Sequence, residues 1–371
     1  MAAPEPQTLD RRALNRALIA RQLLMKRAPL TAVEAVEHLV GLQAQAPNPP
    51  YIGLWTRLAR VTIAELADAV RTRQVVRIVL MRGTIHLVSA RDCLRLRLVL
   101  RESLERSLIS TFGRKLAGAD LDAVTALGRK LVEHEPLTLG ALGTALAGRW
   151  PEHDPFALAN AVRNRVPLVQ VPPRGLWGES GQARHTTAES WLGAAADPAA
   201  DPAALVERYL AAFGPATVKD MQTWSGMTRL AAVVRQLGPR LRVFRDEQGQ
   251  QLYDLPGAPR PPGDTPVPVR FLPEFDNILL SHADRSRILT EEQRRLVFTR
   301  NGIIRSTFLV DGFVHGLWRI ERERDAARLV VEPWSPLGRT ARTELKAEGA
   351  RLLSFAAADC ARTEVTIEAV A

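Results

Sequence analysis

Two glutamines separated by one residue, Gln43 and Gln45, stand in the run Gly41-Leu42-Gln43-Ala44-Gln45-Ala46-Pro47-Asn48-Pro49-Pro50-Tyr51. Pro47 disfavours helical backbone at Ala46, so the helix that precedes it is expected to end near Gln43. In extended backbone the i,i+2 spacing puts both side chains on one side. A carboxamide donates and accepts hydrogen bonds, so two of them together can hold a water molecule and a sugar or base edge. Two idle glutamines at a frayed helix end would read the same way, and a pattern this short does not decide between them.

Whatever these residues do, the surrounding elements must position them, and the chain repeats itself. Pro-x-Thr occurs as Pro29-Leu30-Thr31, Pro136-Leu137-Thr138 and Pro215-Ala216-Thr217, each between two helical stretches with Thr as N-cap. Thr31 with Glu34, and Thr62 with Glu65, have capping-box spacing. The first unit is predicted to have helices over 12–27, 32–43 and 63–73 and strands over 75–80 and 84–88, turned at Arg82-Gly83. The second has helices over 120–133, 139–148 and 155–165, the last opened by Asp154 and Pro155, with strands over 168–171 and 176–177 around Pro172-Pro173-Arg174-Gly175. The third has helices over 203–213, 218–225 and 229–237, then strands over 241–245 and 250–253 around Asp246-Glu247-Gln248-Gly249.

Three helices followed by a hairpin describe a winged helix, in which one helix enters a groove of DNA and the wing touches the backbone. Linkers are expected at Ala194-Ala195-Ala196-Asp197-Pro198 and across the proline-rich stretch 256–268. Beyond it, strand-like runs at 303–310, 313–320 and 328–331, a helix at 341–358 and a strand at 363–369 predict a small α+β domain. Asp311-Gly312 marks a hairpin there, with Phe313 and Trp318 in its core. The expected fold class is α+β: three tandem winged-helix units at 1–95, 96–193 and 202–256, then a C-terminal α+β domain at 267–371.

Bulk properties agree with a DNA partner. A formal charge of +10 and a pI near 10.4 favour a polyanion, with an anionic membrane surface as the second candidate. Nearly all of the cations are arginines, Lys occurring only at Lys26, Lys115, Lys130, Lys219 and Lys346, and arginine suits bidentate phosphate contact. An Ala- and Arg-rich composition also follows from a GC-rich genome. With 46% hydrophobic residues the chain is expected to fold, and it has no run of eighteen apolar residues to cross a membrane. The start, MAAPEPQTLDRR, lacks the apolar core of a secretory signal, so the expected location is cytoplasmic, on DNA. Cys93 and Cys360 are the only cysteines, too few for a disulfide framework or a CxxC metal site.

Further candidates are judged against a DNA partner. Arg82 and His86 fall on the first wing, placed for phosphate or the substrate strand, unless the turn holds Arg82 and His86 is packed. Asn48 and Tyr51 are assigned to substrate contact, Tyr51 as a surface on which a displaced base stacks; for Trp55 core packing is the expectation. In Leu272-Pro273-Glu274-Phe275-Asp276-Asn277, the residues Phe275, Asp276 and Asn277 are expected to bring the C-terminal domain to the cleft, while Arg285 and Arg287 bind backbone or pair with Asp276. His185, His282 and His315 are scattered, and without H-x-E and C-x-x-C a zinc deaminase is excluded. No P-loop or G-x-G-x-x-G occurs.

The runs GLQAQAPNPPYIGLW, LMRGTIHLVSARD and RFLPEFDNILLSHADRSRI together resemble the AlkZ/YcaQ family of winged-helix DNA glycosylases, over nearly the whole chain. The resemblance implies a catalytic Gln-x-Gln at Gln43 and Gln45, as in the AlkZ branch, the YcaQ branch having Gln-x-Asp. It also implies duplex DNA carrying N7-alkylated purines as substrate, including bulky adducts and interstrand crosslinks, and repair or self-resistance to a DNA-alkylating product. No cofactor or metal is expected, and the protein is expected to act as a monomer. An N7-alkylpurine is already cationic, so its base leaves without strong protonation and a neutral amide pair suffices, the two glutamines jointly positioning the attacking water and stabilising oxocarbenium-like charge on the sugar. Gln45 where the other branch has Asp puts a carboxylate base in doubt, and no Lys lies in these motifs for a Schiff base. The competing readings are a catalytically silent DNA-binding or lesion-sensing protein and a transcription regulator; three fused, non-identical units argue against the regulator.

Overall fold

The computed structural model describes residues 5–197 and 201–370, so Pro198 of the expected linker lies outside the described residues. All three Pro-x-Thr threonines cap helices: Thr31 opens Ala32–His38, Thr138 opens Leu139–Ala147 and Thr217 opens Val218–Ser225. Thr31 and Glu34 form the reciprocal box, but Glu65 turns away from Thr62, and its carboxylate accepts the Ala32 N–H at 3.0 Å, tying two helices together.

The first two helices are shorter than their periodicity predicts. Arg11–Arg21 ends where Leu23 takes a φ of 57°, and Ala32–His38 ends where Val40 takes a φ of 56°. In both, the next N–H reaches back five residues, Leu24 to Ile19 and Gly41 to Val36, which satisfies the last carbonyls. Such an end normally uses glycine, and a leucine or valine there leaves no mark in sequence. The early stop frees Leu42–Gln43 to be a strand, and Pro49–Trp55 becomes a helix with its prolines in the first turn, where no N–H is needed.

The hairpins of the three units sit in two settings. Val75–Val79 and Ile85–Ser89 pair as predicted, but Leu168–Val171 pairs with Arg184–Thr187 rather than with 176–177. The first and second hairpins join edge to edge through Arg77 opposite Gln170, giving one antiparallel six-stranded sheet with Leu42–Gln43 at one edge and Leu137–Thr138 at the other. Two helices absent from the sequence reading, Ala90–Val99 and Arg101–Phe112, link these units. The third unit has helices Pro202–Phe213, Val218–Ser225 and Leu230–Leu237, and a separate hairpin, Arg242–Arg245 with Gln251–Asp254.

The C-terminal part is a five-stranded sheet in the order Arg362–Ile367, Ala326–Pro333, Phe313–Glu323, Thr307–Val310, Arg270–Leu272. Helix Arg339–Ala356 makes the crossover to the one parallel pair. Trp318 is buried in that core with Phe271 and Phe308, whereas Phe313 is half-buried and covered by the Arg11 guanidinium at 4.8 Å. Arginines also stitch the units internally: Arg21 to Asp254, Arg16 to Asp311, Arg208 to Asp92 and Arg27 to Glu348. Part of the positive charge is therefore spent inside the fold rather than offered to a partner.

Buried histidines make the fold acid-sensitive. Burial, with Arg82 beside it, lowers His86 to about 3, and burial, with Arg163 nearby, lowers His185 to about 4. Both are neutral in the fold but free to protonate near pH 6.5 once unfolded. Their contribution is complete above that pH and is lost as pH falls toward 4 and 3, at up to ~1.4 kcal/mol per pH unit for each. Urea unfolding from pH 7 to pH 4 should show this fall. The His86→Phe, His185→Phe double variant should have a shallower slope, and an equal slope would remove these residues as its source.

Candidate active site

Gln43 lies on the edge strand directly opposite His86 and is buried to 7% exposure. Gly41, with a φ of 90°, lets this strand start so close to the wing that a Cβ would sit 2.7 Å from Val88 Cγ1. Arg82 Nη2 donates to Gln43 Oε1 at 2.8 Å. Gln45 is exposed, and its Oε1 accepts the Ile85 N–H at 2.9 Å. Guanidinium and peptide N–H can only donate, so both amides are oriented with oxygen toward the wing. Neither Nε2 has a hydrogen-bond partner among the described residues. The pair thus presents two free –NH₂ groups and one unused lone pair on each carbonyl.

The strand and the wing fix this arrangement. Arg82 occupies the turn with a φ of 57°, and its Nη1 also donates to the Trp224 carbonyl of the third unit. Burial and the neighbouring Arg285 lower it to about 10, which leaves it charged at neutral pH. His86 donates its Nδ1–H to the Thr84 carbonyl at 3.0 Å, so Nε2 carries the lone pair of a neutral ring. On the far side Arg77 donates to the Ala44 carbonyl at 2.6 Å, to the Ala46 carbonyl at 3.3 Å and to Gln170 Oε1 at 3.0 Å. It brackets Gln45 without touching it, and burial, with Arg174 nearby, lowers it to about 10. Gly175, with a φ of 99°, makes room for it, since a Cβ there would meet Arg77 Cδ at 2.4 Å.

The LPEFDN segment reaches the same strand, but through structure rather than open contact. Asn277 is an internal clamp: Nδ2 donates to the Gly41 carbonyl at 2.7 Å and Oδ1 accepts the Gln43 N–H at 3.3 Å. Asp276 pairs with neither Arg285 nor Arg287. Both its oxygens accept from buried Arg57, at 2.8 and 2.7 Å, so its charge is consumed inside the fold. Arg287 is buried as well, donating to the Pro215 carbonyl at 2.8 Å, and is closed to a DNA backbone. Arg285 lies half-buried over the Phe298 ring at 5.0 Å and gives its Nε–H to the Leu279 carbonyl, with its two terminal nitrogens unpartnered among the described residues.

Tyr51 is not a stacking surface. Its ring is buried edge-on to Trp177, at 5.4 Å between centroids, and its hydroxyl donates to the Gly175 carbonyl at 3.0 Å. Burial raises it to about 12. Asn48 is half-buried, with Oδ1 accepting the Gly178 N–H at 3.1 Å, so it too joins the motif to the second unit's loop. Trp55 packs in the C-terminal core under the Arg27 guanidinium at 4.7 Å. Of the candidates, Gln43, Gln45, Arg82 and His86 come together, Asn277 holds them, and Arg285 stands nearby.

Arg77 and Arg57 escaped the sequence reading. Arg77 had a signal, a lone charge in the all-buried strand Val75–Val79; Arg57 had none, because its partner lies 219 residues away. The assembled site is polar and uncharged at the amides, with cations behind them and no carboxylate bonded to either glutamine among the described residues. It can hold a water through the free parts of the amides, and Arg285, with two terminal nitrogens unpartnered among the described residues, favours a phosphate nearby.

Residues 36–355 match the family model described as DNA glycosylase AlkZ-like. No curated protein matches the chain by sequence. Among solved structures the fold is similar to the Streptomyces sahachiroi DNA glycosylase AlkZ, with a TM-score of 0.81 and 22% identity over 98% of this chain and 100% of that one. The structural likeness speaks for the fold; the family model spans the Gln43–Gln45 strand, the wing and the Asn277 clamp, and by that match the chain belongs to the AlkZ-like DNA glycosylase family.

Proposed function

We propose that the protein is a monofunctional glycosylase that hydrolyses the N-glycosidic bond of N7-alkylated purines in duplex DNA, bulky adducts and interstrand crosslinks included, in repair or in self-resistance to a DNA-alkylating product. One observation carries this reading: both glutamine oxygens are anchored by donors while both amide nitrogens stay open, beside a neutral His86 and with no bonded carboxylate. Such a site positions water well but is a weak acid and a weak base. It therefore suits a leaving group that brings its own positive charge. Water adds to C1′, one of its protons passes to solvent, and the N7-alkylated base departs neutral with the bonding pair. The cations behind the amides argue that the pair orients water rather than neutralising charge on the sugar.

Single-turnover release of N7-methylguanine, a bulky N7-adduct and uracil from otherwise identical duplexes tests this. Both N7 lesions should leave at least about a hundredfold faster than uracil, a difference of ~2.7 kcal/mol in the barrier. If uracil leaves as fast, a stronger acid or base has been missed. If no lesion yields abasic sites, the silent lesion-binding reading takes its place.

A further inference from the structure

A cavity of about 500 Å³ opens between the Pro49–Trp55 helix and the five-stranded sheet. Asn48 and Ile52 line one side, Trp177 a second, and Glu274, Arg305 and Ser306 the sheet side. It contains neither glutamine, but Asn48, three residues past Gln45 in the chain, lines it. That volume is in the range of pockets that hold drug-sized ligands, about 300–1,000 Å³, and far exceeds what a methyl substituent needs.

Glu274 is the unusual group in this wall. Asp276, two residues on, is saturated by Arg57, yet Glu274 has no hydrogen bond or ion pair among the described residues, although exposed Arg305 shares the cavity. It is half-buried, and burial pushes its carboxyl above the usual carboxylate range. An unpaired carboxyl in a partly dry wall costs free energy that a ligand's donor would offset.

We propose that this cavity receives the substituent on the alkylated base, a bulky, partly aromatic group that carries hydrogen-bond donors, with Glu274 as its polar contact and Trp177 and Ile52 as its apolar walls. The inference rests on the glycosylase reading above and deepens it: the amides act on the sugar, and a separate cavity admits the bulk.

The test uses the full-length protein and two duplexes, one with N7-methylguanine and one with an N7-guanine monoadduct of an aryl nitrogen mustard bearing a free amine. Ser306→Trp fills the cavity, and Glu274→Gln removes the charge while keeping shape. The ratio of single-turnover rates, bulky over methyl, should fall at least tenfold in Ser306→Trp and about threefold or more in Glu274→Gln. A ratio that stays at the wild-type value in both variants overturns the cavity assignment, whether the absolute rates are kept or fall together. So does a wild-type protein that releases N7-methylguanine but not the bulky adduct. Failure of the wild-type protein to release either lesion instead overturns the glycosylase reading itself.

Discussion

Replacing Gln43 and Gln45 together by alanine is expected to leave excision of N7-methylguanine near the uncatalysed rate, and each single replacement to lower it at least about tenfold, with DNA affinity within a few-fold of wild type. Each amide is held by one bond through its oxygen, and only the free parts of the groups face the reaction. Losing a hydrogen bond that matters in a transition state costs on the order of one to several kcal/mol, about a factor of ten or more in rate. The affinity is expected to persist because phosphate contacts supply most duplex binding and neither amide is charged. In Gln43→Ala, Arg82 keeps its bond to the Trp224 carbonyl, so the wing should stay in place. Single-turnover rates at saturating protein, read beside fluorescence anisotropy, separate catalysis from binding. Wild-type excision by the double variant would end the assignment.

The second large effect is structural. Asp276→Ala should lower the unfolding free energy by roughly 3–5 kcal/mol, because it strands the Arg57 guanidinium in the core without its counter-charge. Were Asp276 a group that faces DNA, the same change would cost binding and leave stability almost unchanged. Urea titration reads the difference. Arg57→Met combined with Asp276→Leu should recover most of the loss, since a buried ion pair replaced by apolar groups is often close to neutral. Asn277 follows directly and clamps Gly41 and Gln43, so Asp276→Ala should also slow excision at temperatures where the variant is still folded. A loss below about 1 kcal/mol would mean that the pair is not the buried tie described.

Local chemistry made much of the scaffold legible. Threonine caps after proline mark three helix starts, Asp154 with Pro155 marks a fourth, and alternation with Arg82-Gly83 and Asp311-Gly312 marks two hairpins. Each is decided within a few residues, so the sequence carries the signal whole. Helix ends at Leu23 and Val40 were not legible, because a left-handed residue other than glycine is imposed by what packs around it. The missed end at Val40 matters most, since it turns the helix end expected at Gln43 into a strand edge opposite His86.

Within the site, the sequence by itself determined which groups are present: a Gln-x-Gln where a helix is brought to its end by the following proline, and a basic, histidine-bearing hairpin. Tertiary structure decided what each is free to do. Arg82 and the Ile85 N–H orient the two amides, Arg57 takes Asp276 out of contention, the second unit's loop buries Tyr51, and Asn277 becomes a clamp. The physical reason is range. A cap or a turn is satisfied by its neighbours in sequence, but a buried charge or amide is satisfied by whatever the fold brings to it, here from 39 residues away for Gln43 and 219 for Asp276.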